Sequence, residues 1–472
     1  MQSNRGSSSM HLAIVLLLSA LLLFTNLHKG GLSGYDDALY AHEGEQILAT
    51  GDWWNIHYNG ENNYEYPPLF FWLEALSMSI WGITDFAAKF PSALLGFLTI
   101  CAVYFIGRSS DRNTLYPICA AWVLMLTQYF LKYSMHVMTD VPYAFFFTLT
   151  ILFYIKGIGR PLYFLLAGLA VACAILTRSV LGLIPMAVIL CHIAWAGHFR
   201  LLRSFSFISG MVLAVVLPSL WYFPQYFSHG QPFLDRALEV ITSKVSPGGE
   251  QSAGGSLWAL LGYPGLLLKV YWPWLPFMTI GFWIELKKAL RSGPSLSVLL
   301  ILWVLLVVGP LSMMHTKTLR YIMPAFPVFA LLAAIPLSRW LIRLKPKRFF
   351  PAIYIMLCLF VVGVAVFSTP SDRAKEVSKI GASVEARVPE TERFILYTNG
   401  EVRHDYRNQF LWYARRYLDF TLEPAEFVRK LRDPRNRYFV VDLGSSEGMV
   451  LPSGVKIIEW ARTGQWVFFE KD

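Results

Sequence analysis

The sequence predicts an α-helical membrane protein with many spans, followed by a small α/β domain. Its 472 residues are 55% hydrophobic and only 15% charged, with a mean hydropathy of +0.45, whereas soluble domains carry about 25% charged residues. Apolar blocks of spanning length alternate with short basic loops, and charge returns in residues 371–472, which hold 17 Lys/Arg and 16 Asp/Glu. This composition excludes a soluble cytosolic enzyme.

Eleven apolar blocks approach the length that a helix needs to cross about 30 Å of hydrocarbon. The first resembles a signal-peptide core, but no small-x-small cleavage site follows it cleanly, so we predict a retained span. A further block, 68–81, is short and carries Glu74, which indicates an interfacial or re-entrant segment and a total of eleven to thirteen spans. The predicted spans are 10–27, 86–107, 114–131, 141–157, 161–177, 181–197, 204–227, 257–283, 295–314, 321–341 and 349–368.

The distribution of Lys and Arg predicts the orientation of these spans. With the N-terminus in the cytoplasm, every inner loop carries basic residues, as the positive-inside rule requires. The opposite side receives residues 28–67, with seven acidic residues against Lys29 alone, and also the C-terminal domain. The net charge of +10 therefore reflects membrane topology, because it lies in short loops and not in the single patch that nucleic-acid binding requires.

We predict two domains, a transmembrane domain at 1–370 and an extracytoplasmic α/β domain at 371–472. In the second domain, β-branched and aromatic runs predict strands and amphipathic patterns predict helices. The five cysteines fall inside apolar blocks without CxxC spacing, which indicates neither a disulfide framework nor a thiolate zinc site. The predicted strands are 393–398, 438–443, 455–458 and 466–470, and the predicted helices are 373–387, 407–418 and 423–432.

The first outer loop carries the most informative residues. Asp36 and Asp37 directly follow the first span, ahead of a helical pattern that would lie along the membrane surface. Glu65 returns to the membrane at a stiff Pro67-Pro68 pair. Acidic residues in an outer loop are often solvated or cap a helix, and proline is common in a first helical turn. The combination of the aspartate pair, Glu65 and the diproline distinguishes this loop from an ordinary acidic loop.

The combined loop motif resembles glycosyltransferase family 39, the polyprenyl-phosphate-sugar transferases that include protein O-mannosyltransferases and the lipid A aminoarabinose transferase. The family pattern is roughly D-[DE]-x-x-Y, then G-x-W, N-G and Y-[KE]-x-P-P-L-x-x-W. This chain matches it at Asp36, Asp37, Tyr40, Gly51, Trp53, Asn59, Gly60, Tyr64, Glu65, Pro67, Pro68, Leu69 and Trp72.

The resemblance continues through later parts of the chain. Thr139-Asp140 looks like the family's T-D, and Leu176-Thr177-Arg178 looks like its L-T-K-G with Arg in place of Lys. Residues 317–324 look like the basic K-x-x-R-Y-x-x-P segment. The resemblance implies a GT-C membrane fold and inverting transfer of one sugar from a polyprenyl (undecaprenyl) phosphate. It also implies a bacterial inner membrane location with a periplasmic active site and C-terminal domain.

The resemblance and the chemistry together imply roles for the outer residues. Cations at headgroup depth would bind the lipid phosphate and stabilise the charge that grows as the glycosidic bond breaks. A carboxylate would take the proton of the attacking hydroxyl. We assign the catalytic base to Asp36, acceptor binding or loop organisation to Asp37, Glu65 and Asp140, phosphate binding to Arg178, Lys317 and Arg320, and sugar or lipid contacts to Tyr40, Tyr66 and Tyr321.

The sequence leaves a divalent metal ion open, with Glu65 the one candidate ligand worth testing. Aminoarabinose transferases carry an acidic-His pair in the central loop, where this chain has Glu239-Val240. Lipid A or lipopolysaccharide is the preferred acceptor, and a serine or threonine of a protein is the alternative. A transporter or flippase for lipid-linked sugars and a membrane scaffold are the rival functions, whereas nucleic acid is not an expected partner.

Overall fold

The computed structural model describes residues 3–110, 112–237, 262–291, 295–312, 317–344, 350–367, 374–398, 404–445 and 456–472. The described chain is mostly helical, with a small sheet near the C-terminus, which confirms the predicted fold class. Its helices are α1 (Ser3–Phe24), α2 (Asp36–Thr50), α3 (Leu69–Trp81), α4 (Asp85–Arg108), α5 (Tyr116–Met125), α6 (Gln128–Ser134), α7 (Asp140–Gly159), α8 (Tyr163–Arg178), α9 (Ile184–Ala196), α10 (Phe205–His229), α11 (Gly262–Val270), α12 (Leu275–Arg291), α13 (Leu296–Ser312), α14 (Phe326–Arg343), α15 (Phe350–Phe367), α16 (Lys375–Arg387), α17 (His404–Ala414) and α18 (Pro424–Arg432).

Each of the eleven predicted spans contains helix within the described residues. By length and hydropathy, five helices there could cross a membrane, or six if the bent pair α12 and α13 forms one span. Other apolar helices in the described part of the chain are shorter, at 10–17 residues. The predicted span 114–131 is divided between α5 and α6. The predicted spans 161–177 and 181–197 form one of the five, Tyr163–Ala196, in which a 3₁₀ turn at Ser179–Leu183 links α8 and α9. At 13 residues, α3 extends about 20 Å and is too short to cross.

The described contacts divide the chain into two compact units. The first comprises Met1–Leu27, Tyr64–Phe70 and Lys89–Ser368, and the second comprises His28–Asn63, Phe71–Ala88 and Thr369–Asp472. The units are discontinuous in sequence, because the outer loop after α1 clusters with the C-terminal residues. The division of the chain into domains at 370/371 stays a prediction.

The first unit is a helical bundle in which α8 and α10 approach each other through glycines. A Cβ added to Gly168 on α8 would lie 1.9 Å from the carbonyl oxygen of Gly210 on α10. Small residues allow backbones to approach closely, which is a common way to pack helices in a membrane. Glycine at these two positions therefore determines how closely α8 and α10 pack.

The second unit contains a five-stranded mixed sheet. Strand β3 (Phe394–Tyr397) pairs in parallel with β4 (Leu418–Thr421) and with β5 (Tyr438–Asp442). Strand β7 (Trp466–Lys471) pairs antiparallel with β5 and with β6 (Ile457–Thr463). The order is β4-β3-β5-β7-β6, and a two-stranded hairpin of β1 (His57–Tyr58) and β2 (Glu61–Asn62) lies in the outer loop.

Alternating residues of this sheet face two cores. One face packs against α16 and α17, and the other packs against α18. The sequence does not predict β4, since its periodicity assigns residue 418 to the predicted helix 407–418. That assignment was wrong at its end: α17 stops at Ala414 because Arg415 adopts a left-handed φ of 48°. The start of the predicted strand 455–458 lies partly outside the described residues, and β6 begins at Ile457.

Candidate active site

A buried ion pair joins the facing ends of α7 and α8. Arg178 is the last residue of α8, and its Nη2 lies 3.0 Å from Oδ1 of Asp140, the first residue of α7. Its Nη1 donates to the Thr139 hydroxyl. Only 7% of the Arg178 side chain is exposed. A carboxylate is favourable at a helix N-terminus, so Asp140 is stabilised both by its own helix and by Arg178.

The diproline segment adds an aromatic ring and a second ion pair to the first unit. The Tyr66 ring lies under the Arg178 guanidinium, whose Cζ is 5.4 Å from the ring centroid. Glu65 faces Arg236 at 3.9 Å, and both side chains are partly exposed. Sequence reasoning did not find Arg236. The available signal was a basic residue in a loop predicted to lie on the outer side, where the positive-inside rule expects few.

The segment 317–325 brings the other predicted cations to this unit. Arg320 donates from Nη1 to Sδ of Met138, at 3.5 Å, so it lies beside the Met138–Asp140 stretch. The stem of Lys317 packs on Gly262, where an added Cβ would be 2.3 Å from the lysine Cδ. Tyr321 is half-buried in the 3₁₀ helix Leu319–Ala325. The structure thus gathers Tyr66, Asp140, Arg178 and Arg320 into one cluster.

Asp36 and Asp37 differ sharply in their surroundings in the second unit. Asp37 is 1% exposed, and its Oδ2 accepts from the Ser33 amide at 3.3 Å and from the Ser33 hydroxyl at 2.7 Å. It therefore fixes the entry into α2. Asp36, the first residue of α2, is half-buried. Tyr40 is 3% exposed and packs edge-to-face on Phe71, and its assignment as a sugar or lipid contact stays a prediction.

Glu74 forms a second carboxylate cluster with Glu43 and Asp37 of α2. Glu74 on α3 is fully buried, and neither carboxyl oxygen has a hydrogen-bond partner. Its side chain abuts Gly44, where an added Cβ would lie 2.8 Å from the glutamate Cβ. Burial, reinforced by the charges of Glu43 and Asp37, raises the pKa of Glu74 well above its ordinary value. The environment of Glu74 therefore favours the neutral, protonated form of its carboxyl group.

The outer loop is held by hydrogen bonds to α17 and β4. The Tyr413 hydroxyl accepts from the Leu32 amide at 2.8 Å, and Gln409 donates to the Leu32 carbonyl at 2.8 Å. Asn59 bonds both the amide and the carbonyl of Leu418. At Asn59 the backbone is left-handed, with a φ of 53°. The segment that carries Asp36 is therefore built onto the C-terminal residues.

The residues that the structure describes do not form a metal centre. No group of three His, Cys, Asp or Glu side chains among them could hold an ion. Glu65, the candidate from the sequence, instead faces the Arg236 guanidinium, and a cation is a poor neighbour for a metal ligand. Glu239 and Val240 lie outside the described residues.

Comparison with known families and proteins gives matches across most of the chain. Residues 65–222 match the family described as dolichyl-phosphate-mannose-protein mannosyltransferase. An uncharacterized protein of Aquifex aeolicus is 25% identical over 68% of this chain and 62% of its own length. An undecaprenyl phosphate-alpha-4-amino-4-deoxy-L-arabinose arabinosyl transferase of Pseudomonas fluorescens is 25% identical over 68% of this chain and 58% of its own. The chain thus spans about three fifths of the length of these relatives.

Solved structures share the fold. The crystal structure of ArnT from Cupriavidus metallidurans bound to undecaprenyl phosphate aligns with a TM-score of 0.76 at 16% identity, covering 98% of each chain. The Archaeoglobus fulgidus oligosaccharyltransferase aligns with a TM-score of 0.56 at 15% identity, over 97% of this chain and 72% of that one. These findings confirm the resemblance that the outer-loop motif indicated: the chain is similar to family 39 glycosyltransferases and shares the fold of these solved structures.

Proposed function

We propose that the protein is an inverting glycosyltransferase that takes one sugar from an undecaprenyl phosphate carrier. The observation that carries the proposal is the cluster of Asp140, Arg178 and Arg320 at the ends of apolar helices. A lipid phosphate lies at this depth, and guanidinium groups match its oxygens. Lys317 adds a point charge in the same segment.

Arg178 has a more specific role in this proposal than a general phosphate ligand. Two of its nitrogens already serve Thr139 and Asp140, so Asp140 fixes the direction of the guanidinium plane. A pre-oriented donor stabilises developing charge without a reorganisation cost. Arg320 and Lys317 then supply most of the direct attraction for the leaving phosphate.

Asp36 is our candidate for the general base. The acceptor hydroxyl oxygen attacks the anomeric carbon and passes its proton to the Asp36 carboxylate. The bond from that carbon to the phosphate oxygen breaks, and undecaprenyl phosphate leaves with the electron pair. One displacement inverts the anomeric configuration. Asp37 is excluded from this role by its bonds to Ser33, which leaves it to organise the loop.

Lipid A is the acceptor that we propose. Several of them are named for transfer of 4-amino-4-deoxy-L-arabinose from undecaprenyl phosphate, and we extend that chemistry to this chain. The proposed location is the bacterial inner membrane, with the N-terminus in the cytoplasm and the active site and C-terminal domain in the periplasm. Transfer to a serine or threonine hydroxyl is the alternative, since the matched family is described as a protein mannosyltransferase.

The experiment uses the full chain in lipid nanodiscs with labelled undecaprenyl phosphate-4-amino-4-deoxy-L-arabinose and lipid A. Asp36→Asn should lower kcat by about 10²- to 10⁴-fold, the usual contribution of a positioned base. Glu61→Gln is the matched control, because Glu61 is an exposed carboxylate in the same loop. Activity of Asp36→Asn equal to that of the control would remove the assigned base. Vesicle translocation of the donor without any transfer product would favour the flippase alternative.

A further inference from the structure

Two tyrosines on α6 form a V-shaped aromatic surface in the first unit. The rings of Tyr129 and Tyr133 lie 4.6 Å apart between centroids, at 51° to each other. Tyr129 stacks on the buried ring of Phe326, at 5.8 Å and 20°, and the His136 ring lies 5.9 Å from that of Tyr133. Both tyrosines are half-buried. The surface is therefore rigid on one side and accessible on the other.

This surface adjoins the charged cluster of the proposed donor site. The Tyr129 hydroxyl interacts electrostatically with Tyr133, Asp140 and Arg320. The Lys132 ammonium group lies 5.3 Å from the centroid of the Tyr133 ring. One short helix thus carries a ring surface, hydroxyl groups and a cation next to the candidate phosphate ligands.

We propose that Tyr129 and Tyr133 bind the sugar ring of the lipid-linked donor and help to select which sugar is accepted. The proposal rests on the proposed function and extends it from the phosphate to the sugar. A pyranose presents apolar C–H faces and equatorial hydroxyls, so it suits aromatic rings with polar edges. Asp140 and the tyrosine hydroxyls supply hydrogen-bonding groups for the sugar hydroxyls or for an amino group.

Core packing alone does not explain the pair. Residues that only fill a core are fully buried, as Phe130 on the same helix is, whereas both tyrosines keep part of their surface exposed. A buried tyrosine hydroxyl must find a hydrogen-bond partner. Phenylalanine fills a core position without that requirement. Tyrosine at both positions is expected where one edge of the ring faces a polar ligand.

The test compares binding of two lipids that differ only in the sugar. The probes are undecaprenyl phosphate-4-amino-4-deoxy-L-arabinose and undecaprenyl phosphate, with the full chain in nanodiscs. Tyr133→Leu should weaken binding of the sugar-bearing lipid about tenfold, which is the upper range for one aromatic contact. It should leave binding of undecaprenyl phosphate unchanged within twofold. Tyr133→Phe and Tyr133→Trp keep a ring and should restore most of the affinity.

Tyr163→Leu is the matched control, since Tyr163 is also a half-buried tyrosine with a lysine 5.4 Å from its ring centroid. It begins α8, whereas Arg178 ends that helix, so neither lipid should be affected. Tyr129→Leu provides the second variant. Equal losses for both lipids, or no loss for either, would overturn the sugar assignment. Failure of the wild-type chain to bind undecaprenyl phosphate would instead overturn the proposed function on which the assignment rests.

Discussion

The Tyr413 hydroxyl is the single group that we expect to matter most for the outer loop. It accepts a hydrogen bond from the Leu32 amide at 2.8 Å and donates one to Oδ2 of Asp85 at 3.1 Å. Leu32 lies at the start of the segment that carries Asp36, and Asp85 begins α4. Tyr413→Phe removes one oxygen and leaves the ring, so it tests these two bonds with little change in packing.

The expected cost follows from what each partner loses. Leu32 is fully buried, and a buried donor left without an acceptor costs about 1–3 kcal/mol. Asp85 keeps the bond from Trp412 Nε1 at 2.9 Å, so its loss is smaller, about 1 kcal/mol. We expect Tyr413→Phe to destabilise the second unit by about 2–4 kcal/mol. A unit of this size should then melt about 4–16 °C lower.

The assay is thermal unfolding of the full chain in detergent, followed by tryptophan fluorescence, with limited proteolysis of the outer loop as a local readout. Tyr406→Phe is the matched control on the same helix, because its hydroxyl accepts from Gln465 of the C-terminal residues. A double-mutant cycle with Asp85→Asn should show coupling of about 0.5 kcal/mol or more. Additive effects, or a Tyr413→Phe variant as stable as the wild type, would refute this account of the loop.

Three further results follow from the same contacts. Asp140→Asn should destabilise the first unit by about 3–5 kcal/mol in thermal unfolding, because it leaves the Arg178 guanidinium buried without its anion. The double variant Asp140→Asn with Arg178→Met should recover stability. Burial raises the pKa of Glu74, so the folded state holds the Glu74 proton more tightly than the unfolded state does. The stability that this proton contributes is fully present below the unfolded pKa of about 4.3. Above that pH the free energy of unfolding falls by up to about 1.4 kcal/mol per pH unit, until the folded pKa is passed. Glu74→Gln should abolish this slope in melting curves, and a slope that persists would exclude Glu74 as its source. Gly168→Ala should lower the melting temperature by forcing α8 and α10 apart, whereas Gly265→Ala, with nothing within 4 Å of the added Cβ, should not.

The sequence predicted the positions of the helices well because hydrophobicity is a local property. The predicted α/β character of the C-terminal residues rests equally on local periodicity, and the missed strand β4 followed a left-handed residue, Arg415, that periodicity cannot reveal. The contacts between residues of the candidate site could not be predicted from such local patterns. Arg236 is 171 positions from Glu65, and nothing in either local pattern indicates that they meet. Such pairs depend on how helices pack, which composition and spacing do not determine.

The same limit changes what a truncation can reveal. In the sequence, every candidate catalytic position precedes residue 371, so removal of residues 371–472 spares all of them. The structure gives the outer loop partners in the segment that would be lost: Tyr413 and Gln409 bond Leu32, and Leu418 bonds Asn59. A truncated chain would leave these loop groups without acceptors and donors, so lost activity would not identify a substrate-binding role for the C-terminal residues. A deletion removes both the support of the outer loop and any contact with the acceptor. A single-atom change such as Tyr413→Phe removes the support alone, so it distinguishes the two effects.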